Sequence, residues 1–198
     1  MSSTLPSVAL LIAHRVTDYE TWKKAFDDHL PARKESGCLG HHINRGADDP
    51  NMVYIYCPAT DVAKARTFLD RPDLGDVMKN AGVQGPPTVH VMRPMSADFI
   101  PDKILAGLIV SHAVEDYGVW REVYDGFDHY RKECGIVGHA VNQEYDDPNR
   151  VIVYHQAEAL TTLRAFIDSN ELKERMRDGR VAEPIEIRFV EVVDFADY

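Results

Sequence analysis

Two stretches decide the fold between them: His14-Arg15-Val16-Thr17-Asp18-Tyr19-Glu20-Thr21-Trp22 and His112-Ala113-Val114-Glu115-Asp116-Tyr117-Gly118-Val119-Trp120. They share His-x-Val-x-Asp-Tyr-x-x-Trp, and the same shift (112 − 14 = 98) brings the neighbouring sequence into register. Arg33-Lys34-Glu35-x-Gly37 falls on Arg131-Lys132-Glu133-x-Gly135, and Gly40-His41-x-x-Asn44 on Gly138-His139-x-x-Asn142. Asp48-Asp49-Pro50-Asn51 falls on Asp146-Asp147-Pro148-Asn149. The repeat runs without a gap from about Leu10–Met92 to Leu108–Val190, so one ancestral unit is written twice. Two copies are too few for a solenoid. They suit a pseudo-symmetric pair, the product of fusing the two chains of a homodimer.

Each copy follows the order strand, helix, strand, strand, helix, strand. In the first, Val8 to Val16 is rich in branched aliphatic residues and predicts a strand. Asp18 is placed to cap the next helix, and Thr17 with Glu20 fits a capping box. Tyr19, Trp22 and Phe26 recur at helical spacing, and Gly37 is placed to end that helix. Leu39–Arg45 and Met52–Cys57 predict two strands joined by the turn-forming Asp-Asp-Pro-Asn. Val62, Ala65, Phe68 and Leu69 give a second amphipathic helix, interrupted by Pro72 and resumed around Leu74 and Met78. A last strand covers Thr88–Met92. This order is the ferredoxin-like one, with both helices on one face of an antiparallel sheet. The expected class is therefore α+β: two tandem βαββαβ units forming a pseudo-dimeric α/β barrel. Their expected bounds are 1–95 and 106–198, with a connector at 96–105 that lies within a stretch containing Pro94 and Pro101.

The chain has 198 residues and a formal net charge of −10, with no Lys/Arg-rich stripe to offset it, so a nucleic-acid partner is not expected. The apolar run Val8–Ala13 is too short to span a bilayer, so no membrane partner is expected either. The N-terminus lacks a signal peptide's basic region, and Cys38, Cys57 and Cys134 form no C-x-x-C pair. Free, mostly buried thiols in a cytoplasmic protein are the simplest reading.

The repeated H-x-V-x-D-Y-x-x-W, the Asp-Asp-Pro-Asn turn and Ala81-Gly82-Val83-Gln84-Gly85-Pro86-Pro87 together resemble the dimeric α/β-barrel superfamily, in particular its antibiotic-biosynthesis-monooxygenase-like and cyclase-like members. The resemblance covers nearly the whole chain, once per copy. It implies a pocket between helices and sheet or inside the barrel, and no universal catalytic motif. The implied function is a small-molecule enzyme acting on a hydrophobic or aromatic metabolite, of the cofactor-independent monooxygenase, cyclase or isomerase type. The alternatives are a non-catalytic ligand-binding or stress-response protein, and a haem- or metal-dependent member of the same fold. The expected assembly is a monomer acting as a pseudo-dimer, or a homodimer.

Several residues are candidates for chemistry. His14 and His112 lie near the ends of the first strands on otherwise apolar faces, where a neutral imidazole serves as a general base. The alternative is a histidine packed under the first helix and bonded to backbone. His41 and His139 are candidates for binding substrate, whereas Asn44 and Asn142 suit the hairpin turn. Trp22, Trp120, Tyr19, Tyr117, Phe68 and Phe166 would supply a wall for a flat ligand, or ordinary core. Arg33 and Arg131 suit the helix dipole better than an anion. Neither a metal site nor a cofactor is expected, since no histidine falls in a metal-binding spacing. The copies differ at His29/Phe127, Pro31/His129, Ala32/Tyr130, His42/Ala140, Cys57/His155 and His90/Arg188. Two unlike pockets are therefore expected.

Overall fold

A computed structural model of the chain describes residues 5–98, 100 and 103–198. Eight strands and eight helices follow the predicted order twice. The first unit holds β1 (Val8–Val16), α1 (Tyr19–Asp28), α2 (Leu30–Glu35), β2 (Gly40–Gly46), β3 (Met52–Ala59), α3 (Val62–Leu69), α4 (Leu74–Asn80) and the start of β4 (Val83–Asp98). The second holds β5 (Ala106–Val114), α5 (Tyr117–Gly126), α6 (Asp128–Glu133), β6 (Ile136–Glu144), β7 (Arg150–Ala157), α7 (Leu160–Asp168), α8 (Asn170–Asp178) and most of β8 (Val181–Asp197).

Two compact units emerge. One comprises the chain up to Arg93 together with Val192–Tyr198; the other is Pro94–Glu191. Both β4 and β8 therefore begin in one unit and finish in the other. Ser96, Ala97 and Asp98, at the start of the expected connector, continue β4, and Ile100 donates its backbone N–H to Gln156 Oε1 at 2.9 Å. Pro101 lies outside the described residues.

Within the first unit, β1 is flanked by β3 and β4, β3 pairs with β2, and the end of β8 lies beside β2. The second unit repeats this with β5, β7, β8 and β6. All these pairings are antiparallel. The repetition extends to irregularities: β1 carries a register shift between Ala13 and Arg15, and β5 carries one between Ser111 and Ala113. A shift there turns the strand end and aims the side chain between, His14 or His112, differently from a regular pleat.

Local chemistry explains the helix ends. Asp18 caps α1 by accepting from Thr21 N at 2.8 Å, and Asp116 caps α5 through Val119 N at 2.9 Å. The capping box expected from Thr17 does not form: Asp18 holds the N-cap position, and the Thr17 hydroxyl donates to Gly82 O. The expected single helix up to Gly37 is two, divided at His29. Pro31 in the first turn of α2 has no N–H to continue the ladder of α1. The second copy divides at Phe127 without a proline, so Pro31 reinforces a break that the packing already imposes. Gly37 and Gly135 turn the chain at φ 78° and 83°, a region in which a Cβ is costly.

The apolar face of each sheet packs under its own helices. In the second unit, Leu108, Val110, Phe127, Leu163 and Phe166 form one buried cluster; Val114, Trp120, Val141, Val151 and Val153 form another. Burying each large side chain contributes about 1.5–3 kcal/mol before chain entropy is charged against it.

Candidate functional site

Each unit has a half-open cavity between helices and sheet, built from equivalent positions. In the first, of ≈ 80 Å³, Leu10, Ile12 and His14 of β1 face Trp22 and Phe26 of α1, with Phe68, Leu74 and Met78 behind. In the second, of ≈ 50 Å³, Val110 and His112 face Trp120 and Tyr124, with Phe166, Leu172 and Met176 behind. Six of the ten expected site residues are thereby brought to cavity walls: His14, Trp22 and Phe68 in one, and His112, Trp120 and Phe166 in the other. His41, His139, Tyr19 and Tyr117 are not among the lining residues.

The two strand-end histidines are buried, at 6% exposure for His14 and 3% for His112. Each meets the edge of its tryptophan, at 5.6 and 5.9 Å between ring centroids. Burial pulls both pKa values down from 6.5 to about 4, because a charged imidazole would lose its hydration. Both are neutral at pH 7. Among the described residues neither nitrogen of His14 has a hydrogen-bond partner, whereas His112 Nδ1 lies 3.3 Å from Ala113 O. A carbonyl only accepts, so that contact puts the His112 proton on Nδ1 and leaves a lone pair on Nε2.

The expected second pair of histidines is engaged elsewhere. His41 Nδ1 lies 2.7 Å from the Tyr198 hydroxyl and Nε2 lies 2.9 Å from Asp194, so the ring sits behind Phe26 and is tied to the C-terminal strand. Burial, opposed by Asp194, lowers its pKa. His139 Nδ1 lies 3.1 Å from the Tyr124 hydroxyl. Tyr19 carries the Arg45 guanidinium over its ring, and Tyr117 stacks obliquely on Trp120.

The conserved arginines of the repeat are buried to 4% and 2% exposure. Arg33 donates to Phe26 O and lies 3.5 Å from the Phe26 ring centroid; Arg131 donates to Tyr124 O and lies 3.9 Å from the Tyr124 ring centroid. Each satisfies a carbonyl near a helix C-terminus while closing one end of a cavity, in line with a dipole-compensating role. The asparagine expectation needs correcting at Asn142, which donates to Ile152 O at 3.3 Å and so braces a strand. The hairpin turns are held by Asp49 and Asp147, whose carboxylates accept from Asn51 N and Asn149 N.

One wall residue of the second cavity, His155, was noted from the sequence only as a difference between the copies. Tyr124 and His155 give the second cavity polar groups where the first has Phe26 and Cys57, while Arg131 and Arg33 line both alike. His155 is 5% exposed, and burial brings its pKa to about 3. Strand parity offered a signal: Val151, Val153 and His155 alternate onto one face, and His155 pairs with Leu108 of the His112 strand. In the first cavity Cys38 and Cys57 are free thiols, Cys57 pushed well up by its contact with Cys38 and by burial.

Among the described residues no group of three or more His, Cys, Asp or Glu side chains is arranged to hold a metal ion, and no helix is long and apolar enough to cross a membrane.

No protein-family model matches the chain, and no curated protein matches its sequence. Solved structures do match in fold. An anthrone oxidase-like protein superposes with a TM-score of 0.73 at 12% identity, covering 100% of this chain and 95% of its own. A ferredoxin-fold protein related to antibiotic biosynthesis monooxygenases, from Listeria monocytogenes 4b F2365, gives 0.58 at 8% identity, with 96% of each chain covered. A mutant chlorite dismutase from Candidatus Nitrospira defluvii gives 0.59 at 10% identity, covering 94% of this chain and 92% of its own. The fold is thus ferredoxin-like, with the unit present twice in tandem.

Proposed function

We propose that the protein is a small-molecule enzyme whose second-unit cavity removes a proton from a flat, hydrophobic aromatic metabolite and lets the resulting carbanion react with molecular oxygen. The observation that carries this reading is the neutral, buried His112 at the wall of a ring-lined cavity, with its Nε2 lone pair uncommitted within the protein. Trp120, Tyr124 and Phe166 suit a planar substrate, and the dry wall favours charge delocalised over rings rather than localised on one atom. An anthrone is the simplest such substrate. Its acidic CH₂ gives a proton to the imidazole, the electron pair stays on the ring system, and one O₂ converts the CH₂ to a carbonyl with loss of one water. The likeness in fold to an anthrone oxidase-like protein supports the choice among oxygenation, cyclisation and isomerisation. The chain itself positions the substrate, excludes water and moves the proton. The first cavity keeps an imidazole at His14 but has Phe26 and Cys57 in place of Tyr124 and His155, and for lack of those polar groups it is assigned binding without this chemistry.

The test is oxygen uptake with anthrone in aerated buffer containing a metal chelator. One O₂ consumed per quinone formed, at a rate well above the uncatalysed one, is the expected result. A rate equal to the protein-free control would overturn the reading.

A further inference from the structure

We propose that His155 is a second catalytic residue of the second unit's cavity, its Nδ1 lone pair kept unpaired for the substrate by hydrogen bonds through Tyr124 to His139, whose tautomer the nearby Asp128 carboxylate sets. This rests on the reading of that cavity as a proton-transfer site. It assigns chemistry to a residue outside the repeated motif.

The polarity of the series follows from donor and acceptor counts. Asp128 sits between Arg131 and Lys132, at 3.1 and 2.7 Å, so its carboxylate is ionised and only accepts. His139 Nε2 is 3.8 Å from Asp128 Oδ1, beyond hydrogen-bond reach but near enough for the carboxylate's charge to favour a proton on that nitrogen. That end of the imidazole therefore carries the proton. Its Nδ1 then has a lone pair and accepts from the Tyr124 hydroxyl at 3.1 Å. Tyr124 has a single proton to give. Its oxygen consequently accepts from His155 Nε2–H, at 3.4 Å. His155 Nδ1 is left as a buried lone pair without a partner among the described residues, on a ring that lines the cavity.

The first unit shows that the series is not a packing requirement of the fold. Cys57, Phe26 and Leu30 stand where His155, Tyr124 and Asp128 stand in the second. His41 keeps the place of His139 but bonds to Tyr198 and Asp194. Only the second copy aligns donors toward a cavity base.

In the step itself, a substrate C–H or O–H bond breaks, its electron pair stays on the substrate, and the proton forms the Nδ1–H bond of a His155 imidazolium. The Nε2–H remains directed at Tyr124, so the Tyr124–His139–Asp128 series offsets the new positive charge. Arg131, which faces the same ring and opposes that charge, makes this offset necessary. The proton returns to a product oxygen in a later step. Tyr124, His139 and Asp128 are positioning residues.

The test is ¹⁵N-histidine NMR of the full chain without substrate, with turnover measured alongside. The expected spectrum has His155 in one tautomer, Nε2–H with a lone pair on Nδ1. Asp128→Asn, which replaces an acceptor-only group by one that also donates, should give a mixture of tautomers, as should Tyr124→Phe. His155→Gln should lower anthrone-dependent oxygen uptake at least tenfold with the fold retained. An Nδ1–H tautomer in the wild type, or an unchanged tautomer in both variants, would overturn the series. Full turnover in His155→Gln would overturn the catalytic role. The tautomer is read without any substrate, so an absence of wild-type turnover falls on the reaction proposed above and not on the series.

Discussion

Phe26 and Tyr124 occupy the same place in the two copies and differ by one oxygen atom. Each ring stacks on its tryptophan, at 5.2 and 4.9 Å between centroids, and each lies under its arginine. The added hydroxyl reaches His139 and His155. That hydroxyl, together with His155 and Asp128 in place of Cys57 and Leu30, puts a polar series behind the second pocket. Burial pushes the Tyr124 phenol above its ordinary range, so it works as a neutral donor and acceptor throughout.

Removing that hydroxyl should cost stability as well as alignment. Tyr124→Phe leaves two buried imidazole nitrogens short of a partner, and a loss of about 1–3 kcal/mol is expected. Phe26→Tyr in the first copy has no second imidazole to reach and should give no matching gain. Urea denaturation of both variants at equal slope checks this.

Stability should fall steeply in mild acid. His14, His112 and His155 take up a proton near pH 6.5 when unfolded, but only at about 4, 4 and 3 in the fold. Above 6.5 both states are neutral there and the stabilisation is complete. Between 6.5 and about 4 the unfolded chain binds more protons, so stability falls with falling pH and the loss levels off as the folded state protonates. Each ring accounts for on the order of 1–3 kcal/mol. Melting curves from pH 7 to 4 should show this slope, and a His14→Leu variant should flatten it. An equal slope in that variant would show that His14 is not buried neutral.

The C-terminal residue is expected to be structural. The Tyr198 hydroxyl accepts from Arg33 Nε at 2.9 Å and lies 2.7 Å from His41 Nδ1. Tyr198→Phe removes a partner from a nearly fully buried guanidinium and should cost about 1–3 kcal/mol. A thermal midpoint unchanged by the substitution would mean that this end of β8 does not support the first unit.

Turn positions should separate by geometry. Gly37→Ala puts a Cβ 2.6 Å from Thr60 Oγ1 at φ 78° and should destabilise by more than about 1 kcal/mol. Arg180 holds φ 52° where the first copy has Gly82, so Arg180→Gly should be neutral or stabilising by up to about 1 kcal/mol. Denaturation midpoints of the two variants, moving in opposite directions, would bear this out.

The element order was legible in the sequence because hydrophobic periodicity and turn residues act locally, and the second copy repeated each signal. Asp18, Gly37 and the Asp-Asp-Pro-Asn turn behave as their local chemistry dictates. The strand-end histidines were legible by parity. What local pattern missed depends on tertiary neighbours. The placement of Val192–Tyr198 with the first unit decides what His41 bonds to, and no spacing within the repeat encodes that. The Tyr124–His155 contact joins a helix to a strand 31 residues on. Matching the copies marked position 155 as one where they differ, but could not show that His155 would meet Tyr124.

The central claim is that proton chemistry belongs to the second cavity. Its most direct test is anthrone-dependent oxygen uptake by His112→Gln and His14→Gln side by side, since glutamine keeps a hydrogen bond but cannot titrate. The account predicts that His112→Gln lowers turnover by about 100-fold or more while melting near the wild-type temperature, and that His14→Gln leaves turnover nearly intact. Full turnover in His112→Gln, or its loss in His14→Gln alone, would contradict it.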